Sequence, residues 1–254
     1  MTTELILLCV AAFTAGFIDA IVGGGGLIQT PAALVLLPQY PVATVIGTLK
    51  IPAFTGTFFA AAQYAKRVSF NYKQLALMTS IAFIAAFAGS KLLTVVSNHF
   101  MKPLLLVVLI AVAIYTWLNK NFGNHSAKNH SVQREWWYAA LISLVIGFYD
   151  GFIGPGAGSF LVLSFITLLG FDFLRASAHA KFVNLATNLG SIVFFAASGK
   201  IIYTIALPMA VCNGIGGLLG ARLALLKGNA FIRILFLIVV TGTIIRFAYD
   251  VFFK

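Results

Sequence analysis

Charge is what this chain has least of. Only 9% of its 254 residues are Asp, Glu, Lys or Arg, just 6 are acidic, and 61% are hydrophobic, with a mean hydropathy of +1.00. So little polar side-chain surface cannot coat a water-soluble globule, and the chain reads as an all-α polytopic membrane protein. Cysteine is almost missing. Cys9 and Cys212 each sit inside an apolar run, without a partner at zinc-ligand or CxxC spacing, which excludes a disulfide scaffold and a thioredoxin-type motif. Both read as core residues, and no metal or cofactor is expected. A formal net charge of +11 would suggest nucleic acid for a soluble protein. Here the basic residues lie mostly in short loops between apolar runs, which is topogenic bias, so no nucleic-acid partner is expected. Met1 to Glu4 holds no Lys or Arg, so the first segment does not read as a cleavable signal peptide.

What the chain does have is glycine in a pattern that recurs. Gly16 to Pro31 reads G-F-I-D-A-I-V-G-G-G-G-L-I-Q-T-P, and an offset of 131 residues lands without a gap on Gly147 to Val162, G-F-Y-D-G-F-I-G-P-G-A-G-S-F-L-V. The same offset carries Lys50 onto Lys181, Gly89 onto Gly220, Lys91 onto Arg222 and Lys102 onto Arg233. This is an internal duplication. A helix must stop at such clusters, because glycine costs about 1 kcal/mol and proline about 3 kcal/mol in a helix interior. Paired breaks of this kind point to a transporter binding site.

Stretches of spanning length, about 20 apolar residues, fall at 43–64, 74–97 and 101–118, then at 178–197, 203–224 and 231–251. Ahead of each trio lies a glycine-broken unit, Leu5–Val22 then Leu27–Leu37, and Trp136–Ile153 then Ser159–Leu169. The second limbs are only about half as long as a span needs. Each unit therefore reads as a helical hairpin whose tip lies near mid-membrane, the alternative being a full span followed by a surface helix. The expected organisation is repeat 1 over 1–118 with its hairpin at 5–37, a polar linker at 119–135, and repeat 2 over 136–254 with its hairpin at 136–169. A hairpin adds no crossing and three spans add an odd number, so the repeats should have inverted topology. Basic residues agree. Loop 65–73 holds Lys66, Arg67 and Lys73 against Lys200 alone in its counterpart, and the turn near 222–233 holds Arg222, Lys227 and Arg233 against Lys91 and Lys102. With basic loops in the cytoplasm, the linker lies inside and both termini outside. His125 and His130 in that linker have no Cys or carboxylate at ligand spacing, so a solvated loop is the better reading than a metal site. Trp136, Trp137 and Tyr138 look like an interfacial belt.

The chemistry should sit at the breaks. A helix that restarts in hydrocarbon leaves four first-turn N–H groups without partners, at several kcal/mol each. A bound anion satisfies them, aided by the helix dipole. Gly23, Gly24, Gly25 and Gly26, and Gly154, Gly156 and Gly158, keep that backbone bare, though the same residues would serve close helix packing. Lys50 and Lys181 lie within apolar spans, where an ionisable residue is a functional candidate. They either bind an anion or form structural pairs, Asp19 with Lys50 and Asp150 with Lys181. Asn184 and Asn188 share a helix face at i and i+4. His179 is either a helix cap near Arg175 or, with Asp19 and Asp150, a proton-handling group. Gln29, Thr30 and Ser159 are further anion donors in the first turns of the short limbs.

At these residues the sequence resembles the TauE/SafE sulfite exporter family, also called the 4-toluene sulfonate uptake permease family. The likeness rests on the duplicated glycine stretch at Gly16 to Gly26 and Gly147 to Gly158, on G-T-L-K at Gly47 to Lys50 and on A-H-A-K-F-V-N-L-A-T-N at Ala178 to Asn188. It covers nearly the whole chain outside the linker. The resemblance implies a multi-pass permease of the bacterial inner membrane, commonly an exporter, for sulfite or organosulfonates such as sulfoacetate. By position it implies substrate binding at the glycine tips, Lys50, Lys181, Asn184 and Asn188. Pro155 and Ala157 interrupt the second glycine run and set that tip apart. The expected partners are a small anionic substrate and the lipid bilayer, and small interface residues permit a homodimer. A passive anion channel is the alternative. An intramembrane enzyme using His179 with Asp150 is disfavoured, because no convergent nucleophile and base is evident.

Overall fold

The computed structural model describes residues 2–97 and 132–227. The expected spans at 101–118 and 231–251, residues 119–131 of the linker with His125 and His130, and Lys102 and Arg233 lie outside the described residues. Within them the chain forms eight helices and no strand. They are α1 Thr2–Val22, α2 Gly26–Leu36, α3 Val42–Tyr64, α4 Tyr72–Val95, α5 Val132–Phe152, α6 Ala157–Leu169, α7 Phe173–Ala197 and α8 Tyr203–Lys227. Five of these are long and apolar enough to cross a membrane: α3, α4, α7, α8 and, from Thr3, α1.

Helix ends fall where local chemistry stops or starts them. Asn71 caps α4 by accepting the Gln74 N–H at 3.3 Å, and Asp172 caps α7 by accepting the Arg175 N–H at 2.9 Å. That second cap corrects the expected start at 178: α7 begins at Phe173, so His179 lies inside the helix and caps nothing. The linker boundary moves as well. α5 begins at Val132, with Glu135 in a first turn where the helix dipole favours an acid, so the linker's last four residues are helical.

Both short helices return along the helix before them. Leu8 and Ala12 of α1 share a core cluster with Ala33 of α2 and Leu37 just beyond it, while Gly25 at the break abuts Ala15 and Asp19. The later residues of α2 thus meet the earlier residues of α1, as a hairpin requires. Gln29, Thr30 and Ala33 are buried, which removes the surface-helix alternative for this limb. In the second unit, Tyr149 of α5 stacks edge-on against Phe160 of α6 with ring centroids 5.6 Å apart, and its hydroxyl donates to the Pro155 carbonyl at 2.5 Å.

Each hairpin packs on a helix from the other half of the sequence, and does so in the same way. A Cβ placed on Gly220 of α8 would lie 2.2 Å from the Phe17 carbonyl of α1, and one on Gly89 of α4 would lie 2.2 Å from the Phe148 carbonyl of α5. These are the same contact, 131 residues apart. Likewise Gly16 meets Asn213, and Gly147 meets Ala82. Small residues let these backbones approach where no water-driven force would hold longer side chains together. Cys9 of α1 and Cys212 of α8, expected in the core, are only partly buried and pack against the edge of one cluster at this interface.

Gly151 would place a Cβ 2.0 Å from the Ala86 carbonyl, whereas Gly199 has φ +65° and nothing within 4 Å. Gly151→Ala is therefore expected to destabilise by roughly 1–3 kcal/mol through overpacking, and Gly199→Ala by only about 1 kcal/mol of backbone strain. Thermal unfolding of the detergent-purified variants checks the order; equal midpoints would mean that α4 and α5 can separate to make room.

Candidate functional site

The two breaks meet tip to tip. A Cβ on Gly23, whose φ is +71°, would sit 2.5 Å from the Gly158 carbonyl carbon, and one on Gly26 would sit 3.1 Å from the Pro155 Cα. The Ser159 hydroxyl closes the seam by donating to the Gly23 carbonyl. Neither short helix is capped by the side chain of its N-cap residue, because Gly25 and Gly156 have none, and among the described residues the one side chain that bonds either start is Asp19, which accepts the Gly25 N–H. The N–H groups of Gly24, Gly26, Gly156 and Gly158 meet no hydrogen-bond acceptor among the described residues.

Beside this seam lies a cavity of about 60 Å³. One water needs roughly 10–15 Å³ on this measure, so the space suits a group of a few heavy atoms. Gly24, Gly25 and Gly26 line it from the first tip, and Gly154, Gly156 and Gly158 from the second. Lys50, Asp19 and Asp150 contribute charge, and Gln29, Thr30, Thr57, Asn184, Asn188 and Asn213 contribute neutral polar groups. Of the sequence-predicted residues, Gly23 instead lies at the tip contact and Lys181 stands behind Asp19, neither lining the cavity. His179 is further removed. Its Nδ1 lies 2.8 Å from the Arg175 carbonyl, and its ring packs between Phe70 and Phe171 at centroid distances of 4.8 Å each.

The charges pair across the halves, which corrects the expected pairing within each half. Lys50 Nζ lies 3.0 Å from Asp150 Oδ1 and donates to the Asp150 carbonyl at 2.6 Å. Lys181 Nζ lies 2.9 Å from Asp19 Oδ2 and donates to the Asp19 carbonyl. The reason lies in the packing just described: with the tips abutting, each hairpin's aspartate faces the opposite half's lysine. Each ammonium thus binds both a carboxylate and the carbonyl of the same residue, so the duplicated positions make duplicated bonds.

The carboxylates differ in what else holds them. Asp150 Oδ2 accepts the Asn184 amide at 3.1 Å and the Thr187 hydroxyl. Ala53 and Gly56 stand at the equivalent positions of the first half, and neither can donate from a side chain. Asp19 has instead the Gly25 N–H at 3.2 Å on Oδ1, and its side chain is 20% exposed against 5% for Asp150. Asn184 also accepts from Thr57 at 3.3 Å and from Asn188 at 3.2 Å. Across the cavity the Asn213 amide donates to Gln29 Oε1 at 2.8 Å, and Gln29 donates to the Leu49 carbonyl at 3.2 Å. Sequence reading passed over Asn213, Thr57 and Thr187; a lone Asn in the apolar run of α8 is the signal that could have found the first.

Comparison with known proteins agrees with this architecture. The profile of the sulfite exporter TauE/SafE family matches residues 8–247. The chain belongs to the TauE/SafE sulfite exporter family. Its relatives include "Probable membrane transporter protein ORF9" of Sinorhizobium sp, 38% identical over 97% of this chain and 93% of the relative. A "Probable membrane transporter protein" of Haemophilus influenzae is 34% identical over 96% of this chain and 94% of its own length. "Probable membrane transporter protein YfcA" of Escherichia coli K12 is 33% identical over 98% and 92%. No solved structure matches. Family membership and the five apolar helices make this a multi-pass membrane protein of a transporter family.

If the ion pairs are crossed as described, removing one partner strands a buried charge and costs roughly 3–5 kcal/mol. Double-mutant cycles on unfolding midpoints should then give a coupling of about 0.5–3 kcal/mol for Lys50→Gln with Asp150→Asn, and for Lys181→Gln with Asp19→Asn. The uncrossed combinations, Lys50→Gln with Asp19→Asn and Lys181→Gln with Asp150→Asn, should couple less.

Proposed function

We propose that the protein is a secondary transporter, working in export, for small sulfur-containing anions such as sulfite or organosulfonates like sulfoacetate. The anion sits near the bilayer midplane between the two glycine tips. Access alternates as two repeats of inverted topology, 1–118 and 136–254, rock against each other. A membrane potential negative inside already favours outward movement of an anion. The observation that carries this reading is the meeting of two uncapped helix starts at one small cavity. Their free amides and dipoles favour negative charge, and Gly24, Gly26, Gly156 and Gly158 let a ligand reach the backbone. Asn184, Asn213 and Gln29 each have a second amide hydrogen for oxygens that the tips leave unserved, and Asn188 holds Asn184 in place by donating to it twice. The crossed ion pairs tie each hairpin to the opposite repeat, so any rocking motion must strain or exchange them. Lys50 and Lys181 would serve the anion through those pairs, by offsetting the aspartates beside it.

Removing Lys181 leaves the Asp19 carboxylate uncompensated at the cavity wall, and it then repels an incoming anion. Lys181→Gln is expected to lower sulfite flux in vesicles roughly tenfold or more, the loss of one charge-assisted interaction, while the protein still elutes as a folded species. Unchanged flux would remove this lysine from the transport path.

A ligand that binds only the folded form stabilises it by about 2.7 kcal/mol at a hundred times its dissociation constant. Thermal shifts of the purified protein with sulfite, sulfate, thiosulfate and sulfoacetate should therefore rise for the transported anions, and should be smaller for zwitterionic taurine. A rise with none of the anions would count against the reading.

A further inference from the structure

We propose that Asp19 is the carboxyl group by which a proton travels with the anion: an oxyanion at the first tip takes over the Gly25 N–H, and Asp19 gives it up by becoming protonated, which leaves the Lys181 charge behind it to hold the anion at longer range. This rests on the anion-transport reading above and changes its driving force: a singly charged anion that moves with one proton carries no net charge, so the concentration gradients of anion and proton, not the membrane potential, set its direction. In the structure Asp19 already behaves as a tethered anion at the start of α2, with one oxygen on the Gly25 N–H and the other on Lys181. A second anion in a cavity of about 60 Å³ lined by Asp19 and Gly25 would face that carboxylate at short range, where like charges repel strongly and drive one of them to bind a proton. Neutral Asp19 leaves the Lys181 charge uncancelled. The cavity then carries a net positive charge only when the proton is present.

The other candidates are less suited. Asp150 has Lys50 on one oxygen and Asn184 and Thr187 on the other, so a proton there would displace a bond already made. His179 lies outside the cavity lining, between aromatic rings. Around Asp19 the charged and titratable surroundings are few. α7 brings Lys181, and α3 brings Lys50, held by Asp150 of α5, together with the Tyr64 hydroxyl, which donates to the Ala20 carbonyl at 3.0 Å. α2 and α6 contain no ionisable side chain. α8 meets α1 through Asn213, Gly216 and Gly220, none of which titrates, and through the Cys212 thiol, which packs beside Cys9 on the far side of Ala12 from Asp19. The proton comes from water on the side the anion enters, forms an O–H bond on the Asp19 carboxylate, and returns to water on the other side as the carboxylate recaptures the Gly25 N–H.

The test uses the full chain in proteoliposomes enclosing a pH-sensitive dye, with a methanesulfonate gradient. A sulfonic acid stays ionised through the neutral range, so any pH dependence belongs to the protein. Wild-type protein should acidify the lumen as methanesulfonate enters, at a rate that rises as the outer pH falls from about 8 to about 5.5. The sign follows from linkage: the anion-bound form holds one more proton, so anion affinity grows as pH falls. In Asp19→Asn the amide imitates the protonated state, and whatever methanesulfonate this variant carries should move with no acidification and no pH dependence. Wild-type flux without acidification, or acidification retained in Asp19→Asn, overturns the proposal while leaving the anion reading intact. Failure of wild-type vesicles to move either methanesulfonate or sulfite overturns both. Should Asp19→Asn not fold, carbodiimide treatment of the wild-type protein decides: an adduct mapped to Asp19 and suppressed as pH rises supports the proposal, and one confined to Asp150 overturns it.

Discussion

Two aspartates and two lysines buried in an apolar bundle can be tolerated only if they meet, and here they meet across the halves of the sequence. Taking a charge from water costs several kcal/mol even after relaxation, and removing one partner of a pair exposes that cost. Lys50 and Asp150 are 6% and 5% exposed, so neither is compensated by solvent. Each half holds an aspartate on its hairpin and a lysine on its first long helix after that hairpin, yet each lysine is satisfied by the opposite hairpin. The crossed pairs therefore fix how the hairpins enter the bundle, and with them where the tips come to rest.

Glycine makes that resting place workable. At Gly23 and Gly158 the backbones of the two breaks touch, and a single Cβ on either residue would fall within 3.0 Å of the other chain segment. The same absence of side chains leaves the helix starts uncapped. Close packing and anion recognition looked like rival explanations for the glycines; on the reading proposed above both hold, because different glycines would serve each. Gly23 supplies contact between tips, while Gly24 and Gly26 leave amides at the cavity wall.

Much of this was legible before any coordinates. The breaks, the half-length return helices and the long helices at 43–64, 74–97 and 203–224 all follow from local rules: glycine and proline end a helix, and apolar length sets a span. The start of α7 was misplaced because the Asp172 cap precedes the apolar run by several residues, and hydropathy weighs a run more than a cap. Crossed pairing was not legible at all. Spacing shows which residues share a helix face, but the choice between two chemically identical lysines is made by tertiary packing. Asn213 escaped notice because one polar residue scarcely alters the hydropathy of its run, although in an apolar helix it needs a partner, which Gln29 provides.

Duplication explains the likeness of the halves, and the site depends on where that likeness ends. Of the two carboxylates at equivalent positions, Asp150 has Asn184 and Thr187 around it, where the first half has Ala53 and Gly56. The donors anchor one pair and leave the other with a backbone amide and partial exposure. Two equally anchored pairs would hold the cavity electrically neutral in every state, with only helix dipoles and amides to attract an anion. Two equally loose pairs would give no fixed wall for one to bind against. On the proton-coupled reading proposed above, a bundle with one firm and one yielding ion pair has a rigid side and a responsive side, and the responsive carboxylate is the one that borders the first glycine tip.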